Sequence, residues 1–163
     1  MNARPLLDQI AAALAAAKLE AILIGNAAAA LRGAPVTTVD FDFLFRATPG
    51  NLRKLRAFAR ELEASVAQPF EGASTMYRVV NPRIGLQADF LSTMHGVRSF
   101  ESLRKRATSL DLGSGKLLVA RLEDILRSKS AANRPKDRAV LDVLRETLHE
   151  AREALKEEDE EEE

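Results

Sequence analysis

The chain has 163 residues, 46% of them hydrophobic, with 24 basic and 24 acidic side chains. That length suits one domain with a true apolar core, while the lack of cysteine excludes disulfides, thiolate metal sites and a cysteine nucleophile. The neutral total hides an asymmetry: residues 157–163, EEDEEEE, leave 17 acidic against 24 basic residues in the remainder, a basic body suited to a phosphate-bearing partner.

Leu6, Leu7, Ile10, Leu14 and Ala17 recur at helical spacing and predict an amphipathic helix over residues 4–18. Asp8 and Gln9 interrupt the early apolar run, which argues against a cleaved leader. No run is long enough to span a bilayer, so the cytoplasm is the expected location. Ala21 to Ile24 is a short apolar stretch ending in Gly25, the pattern of a buried strand entering a tight turn. Asn26 to Arg32 then reads as two Ala-rich helical turns closed by Gly33, with Asn26 either an ordinary N-cap or a donor toward an anion at the helix start.

Val36 to Phe45 follows as a second strand. Alternation would put Val39, Phe41 and Phe43 on a core face and Asp40 and Asp42 on the other. Two like charges roughly 7 Å apart on one strand face repel, and a divalent cation between them would offset that cost. The bland alternative is a half-exposed strand with a polar outer face. Thr48-Pro49 caps a helix whose apolar face, Leu52, Leu55, Phe58, Ala59, Leu62 and Val66, runs to about residue 66; Arg53, Lys54, Arg56 and Arg60 form a basic face, either solvated or RNA-contacting.

Residues 67–74 read as a loop. Thr75 to Asn81 and Gly85 to Thr93 read as an antiparallel hairpin joined through Asn81-Pro82-Arg83-Ile84. In its second strand Gln87, Asp89, Leu91 and Thr93 share a face; beside Val39–Phe45, Asp89 would join Asp40 and Asp42. Ser99 caps a short helix to Ala107, and residues 108–119 form a hairpin turning at Gly113-Ser114-Gly115. Gly115-Lys116 is no phosphate loop, because Leu117 stands where Ser or Thr is required. His95 and His149 read as surface residues.

A helix from Leu122 breaks at Asn133-Arg134-Pro135, and another runs from Pro135 to about Leu155 with Val140, Leu144, Leu148, Ala151 and Leu155 as its seam. Around the break, Lys129 and Lys136 face two uses, neutralising phosphate oxygens or letting Asp137 staple the helices through Lys129 or Arg134. The expected organisation is one domain over residues 1–156, helical from about residue 121, and a disordered acidic tail over 157–163.

Taken together, the strand ending at Gly25-Asn26, the short helix, the Asp40-Phe41-Asp42 strand and a later strand carrying Asp89 resemble the signature of the polymerase-beta-like nucleotidyltransferase superfamily. Within it, the chain is most similar to small bacterial members of the minimal nucleotidyltransferase and abortive-infection type, over most of residues 20–148. Asn26 departs from the usual second Gly or Ser, and Val36 stands where many relatives carry Arg. The resemblance implies an α/β (α+β) fold, with a small mixed sheet, flanking helices and a C-terminal helical pair. It implies an enzyme moving a nucleoside monophosphate from an NTP such as ATP to a hydroxyl on RNA, protein or a small molecule. Asp40, Asp42 and Asp89 would be the catalytic and metal-binding residues, holding Mg²⁺ or Mn²⁺; Gly25, Asn26, Thr38, Lys129 and Lys136 would contact the nucleotide. A toxin–antitoxin or phage-defence setting, with a cognate partner, is implied too. The alternative is a catalytically degenerate member that acts by binding a partner. A basic RNA-binding module finds little support in one Tyr and no Trp.

Overall fold

A computed structural model describes residues 4–38, 40–68 and 76–162. Among these, six α-helices flank a seven-stranded mixed sheet ordered β3-β4-β5-β2-β1-β7-β6. The elements are α1 (Arg4–Ala17), β1 (Ile22–Ile24), α2 (Gly25–Leu31), β2 (Phe41–Leu44), α3 (Pro49–Glu61), β3 (Ser65–Ala67), β4 (Tyr77–Asn81), β5 (Leu86–Leu91), α4 (Phe100–Arg106), β6 (Thr108–Asp111), β7 (Lys116–Val119), α5 (Leu122–Ala132) and α6 (Pro135–Glu162).

The expected hairpin forms as β4 and β5, antiparallel, turned by a 3-10 segment at Pro82–Ile84 in which the Asn81 side chain accepts from Arg83 N. Strand β5 then runs parallel to β2, and β2 antiparallel to β1, so the three strands central to the sequence argument are neighbours. Register is fixed by aromatic packing. Phe43 pairs with Phe90 and stacks on it at 5.0 Å between ring centroids, while Phe58 of α3 meets Phe90 edge-on at 5.3 Å. A one-residue slip would send these rings to the other face, so the hydrophobic contact also sets which polar residues align.

Three expectations are corrected. The second strand starts at Phe41 rather than Val36: residues 34–38 are not strand, Val39 lies outside the described residues, and Asp40 sits in a bend just before β2. Helix α3 ends at Glu61, because Glu63 takes a left-handed φ of 50° and Ala64 N donates to Ala59 O, which closes the helix and starts β3. Val66, expected on the helical seam, therefore lies in an edge strand. The expected loop at 67–74 and the strand start at Thr75 fall mostly among residues outside the description.

The helical pair α5 and α6 forms as expected, separated by Asn133 in a left-handed conformation (φ 51°) before Pro135. Helix α6 continues to Glu162, where sequence composition suggests a disordered tail. Extension from a packed segment needs no new nucleus, and glutamate is a good helix former. Residues 149–162 are all exposed, so no packing holds this end.

Candidate functional site

Four adjacent strands build the site through a single cross-sheet row. Ile24 of β1 pairs with Asp42 of β2, Asp42 with Asp89 of β5, and Asp89 with Arg78 of β4. Alternation puts this row on the face opposite Phe43 and Phe90, so core packing on one side delivers the charges to the other. Paired side chains on one face approach within about 5 Å at Cβ. Asp40 reaches the same place from the bend: Thr38 donates its hydroxyl to Asp40 O at 2.6 Å and accepts from Asp40 N at 3.3 Å.

A cleft of about 690 Å³ opens over the row. Its walls include Gly25, Asn26, Thr38, Asp40, Asp42 and Asp89, together with Lys129 and Lys136 from the helical pair. Every residue singled out by the sequence pattern thus borders one space. Thr38 has its hydroxyl engaged with the Asp40 backbone, which makes it a support for the bend at that residue.

Gly25 explains the tight turn twice over. Its φ of +68° suits glycine, and a Cβ built there would lie 2.8 Å from Asp42 Oδ2. The bare backbone makes room for the carboxylate. Asn26 is no N-cap: that position is Ile24, without a side-chain cap. Instead Asn26 Oδ1 is buried with no hydrogen-bond partner among the described residues.

Electrostatics divide the acids into two groups. Asp42 is pushed up to about 6, first by burial and then by repulsion from Asp89 and Asp40, with Lys129 and Lys136 opposing. Asp89, 6% exposed, is instead clamped by Arg78, which donates from Nε to Oδ1 at 2.8 Å and from Nη2 to Oδ2 at 3.1 Å. On the helical side, buried Asp137 accepts from Arg134 Nε at 2.6 Å and lies 3.7 Å from Lys129 Nζ. Burial alone would raise the Asp137 pKa; the Arg134 hydrogen bonds and the charges of Arg134 and Lys129 outweigh it and bring it below the usual range. Lys129 is lowered by burial, with Asp137 opposing. The stapling use of Asp137 is realised, and Lys129 and Lys136 border the cleft as well.

The donor set fits a hard divalent cation in part. Asp40 and Asp42 bring oxygen ligands to an open cleft, and Asp42 carries charge that lacks an ion-pair partner among the described residues, which suits such an ion. Asp89 differs, since both its oxygens are engaged. Among the described residues no three acidic or imidazole groups are grouped so as to hold one ion together.

Arg78 was missed by the sequence reading. Its signal lay in the hairpin: counting back across the Pro82–Gly85 turn puts position 78 opposite 89. His95, expected at the surface, is exposed and borders the cleft.

A mixed sheet with adjacent carboxylate strands, a glycine turn into a short helix and a C-terminal helical pair make the fold nucleotidyltransferase-like. The solution structure of the antibiotic-resistance factor ANT(2'')-Ia, an aminoglycoside nucleotidyltransferase, superposes with a TM-score of 0.57 over 97% of each chain at 14% identity. That likeness concerns the fold. No protein-family profile matches the sequence, and no curated protein does. Among the described residues no helix is long and apolar enough to cross a membrane.

Proposed function

We propose that this protein is a metal-dependent nucleotidyltransferase of the minimal, abortive-infection-like type. It would transfer a nucleoside monophosphate from an NTP to a hydroxyl on RNA, protein or a small molecule in the cytoplasm, in a toxin–antitoxin or defence setting with a cognate partner. The observation that carries this reading is the cross-sheet alignment of Asp42 with Asp89 in a cleft that also receives Asp40, Lys129 and Lys136.

In this reading Asp40 and Asp42 hold Mg²⁺ or Mn²⁺, which would neutralise phosphate charge and polarise the reacting phosphoryl group. Lys136 and Lys129 balance further phosphate charge from the helical side. Asn26 and the backbone at Gly25 flank the triphosphate. Asp89, once released by Arg78, would take the proton of the acceptor hydroxyl as the new oxygen–phosphorus bond forms and the α–β phosphoanhydride bond breaks, releasing pyrophosphate. What supports these roles is the presence of all these residues in the wall of one cleft, together with general phosphoryl-transfer chemistry.

A second reading, a degenerate member that binds a partner without turnover, is favoured by the Arg78 clamp on Asp89. Thermal melting tests the nucleotide site that the transferase reading requires. With NTP and Mg²⁺ at about a hundredfold over Kd, stabilisation of about 2.7 kcal/mol is expected, raising Tm by several degrees. The gain should vanish in Asp40→Asn and Asp42→Asn. If no NTP moves the wild-type Tm with Mg²⁺ or Mn²⁺, the transferase reading fails. Labelled NTP incubated with total RNA and lysate then identifies the acceptor.

A further inference from the structure

Resting on the transferase reading, we infer that Arg78 gates the third carboxylate, so that the resting site takes one divalent cation at Asp40 and Asp42 and admits a second only when Arg78 lets go of Asp89. The two-metal scheme requires a pair of ions roughly 3.5 to 4 Å apart, bridged by shared carboxylates. Here the planar guanidinium satisfies Asp89 in a fork, 2.8 Å and 3.1 Å across the two oxygens. Such bidentate pairs are stronger and more directional than a lysine contact.

The two partners differ in freedom. Asp89 is buried, on a strand flanked by β2 and β4, and cannot turn away from the row. Arg78 keeps a third of its side chain in solvent on β4 and has a long stem, so it is the partner able to swing out. Asp42 and Asp89 are directly paired across β2 and β5, and Asp40 and Arg78 line the same cleft, so the oxygens that Arg78 holds lie beside the other two acids. Arg78 occupies, in charge and in place, the role of the second cation. Its departure exposes two carboxylate oxygens beside Asp42, and an incoming divalent ion replaces the positive charge withdrawn. Arg78 is thus a positioning residue that acts through Asp89.

Mn²⁺ alone is the probe, with uptake counted by loss of the free-ion electron paramagnetic resonance signal. Wild type should bind one Mn²⁺ per chain, Arg78→Met two, and Arg78→Met with Asp89→Asn one again. Because Arg78→Met leaves a buried carboxylate unpaired and lowers stability, melting is followed in parallel, and Mn²⁺ should raise its Tm by more than it raises that of wild type. Two ions on wild type, or one ion on Arg78→Met with no extra Mn²⁺ stabilisation, overturns the gate while leaving the transferase reading intact. If wild type takes up no Mn²⁺, or if Asp40→Asn and Asp42→Asn leave uptake unchanged, both fall together.

Discussion

Asp42 and Asp89 stand directly opposite each other on the parallel strands β2 and β5, one position before the stacked Phe43–Phe90 pair. Hydrophobic register therefore enforces an electrostatic conflict, which the Arg78 clamp on Asp89 and the charges of Lys129 and Lys136 relieve only in part. Burial, then Asp89 and Asp40, push Asp42 up to about 6 from 3.8. A raised carboxylate favours the folded state while it is protonated. Its contribution is full below the unfolded pKa near 4 and is lost as pH rises to about 6. The upper bound is about 3 kcal/mol, reduced by partial exposure. Asp42→Asn should remove this slope, so the wild-type minus variant stability difference, measured by urea titration from pH 4 to 8, should fall with rising pH and level off above 6. Mn²⁺ affinity should move the opposite way, weakening up to tenfold per pH unit below about 6 as protons compete for Asp42.

Gly25→Ala should be damaging for two separable reasons. A φ of +68° strains any L side chain, at a cost of about 1 kcal/mol, and the new Cβ would press on Asp42 Oδ2. Combining Gly25→Ala with Asp42→Ala should recover the steric part and leave the backbone part. A double-mutant cycle on unfolding free energy checks this, with a coupling of at least about 0.5 kcal/mol expected.

Much of this arrangement is legible in the sequence. Period-two alternation in Phe41–Leu44 and Leu86–Leu91, the Pro82 turn and the Pro135 break all rest on local rules, and the structure keeps them. What escaped depends on context. The start of β2 is set where the Thr38 hydroxyl bonds the Asp40 backbone, so that a side chain competes with the strand ladder. The end of α3 is set at Glu63, a residue whose type gives no warning of a left-handed conformation. Arg78 stands in no motif, and what distinguishes it is a partner eleven residues away on the next strand.

Asp137 should be the costliest single acid to remove. It is fully buried, held by Arg134 and by Lys129, whose own side chain is 13% exposed. Asp137→Ala leaves a largely buried ammonium without its partner and should cost about 3–5 kcal/mol, read from urea unfolding. Because the folded pKa of Asp137 is depressed, the stability it gives is present above the unfolded pKa near 4 and disappears as pH falls through the folded value. Wild type and variant should therefore converge in acid. A constant gap down to the lowest pH would mean that the staple is packing rather than charge.

The projecting end of α6 makes a prediction about self-competition. An acidic run could screen a basic nucleotide site from its own chain, but only by reaching it. The cleft residue Lys136 lies in the first turn of α6, and Glu157 follows 21 residues later on the same helix, a rise of about 30 Å. That separation exceeds several Debye lengths at physiological salt, about 8 Å each. Deleting residues 157–163 should therefore leave NTP affinity, by titration in about 0.15 M salt, within twofold of wild type. Stability should change by no more than about 0.5 kcal/mol, since residues 149–162 are exposed. Cutting instead before Leu144, which is buried, should cost at least about 2 kcal/mol. Tighter NTP binding after the short deletion would require α6 to unwind and fold back over the cleft, and a loss of its helical circular-dichroism signal on addition of NTP to wild type would be the independent sign.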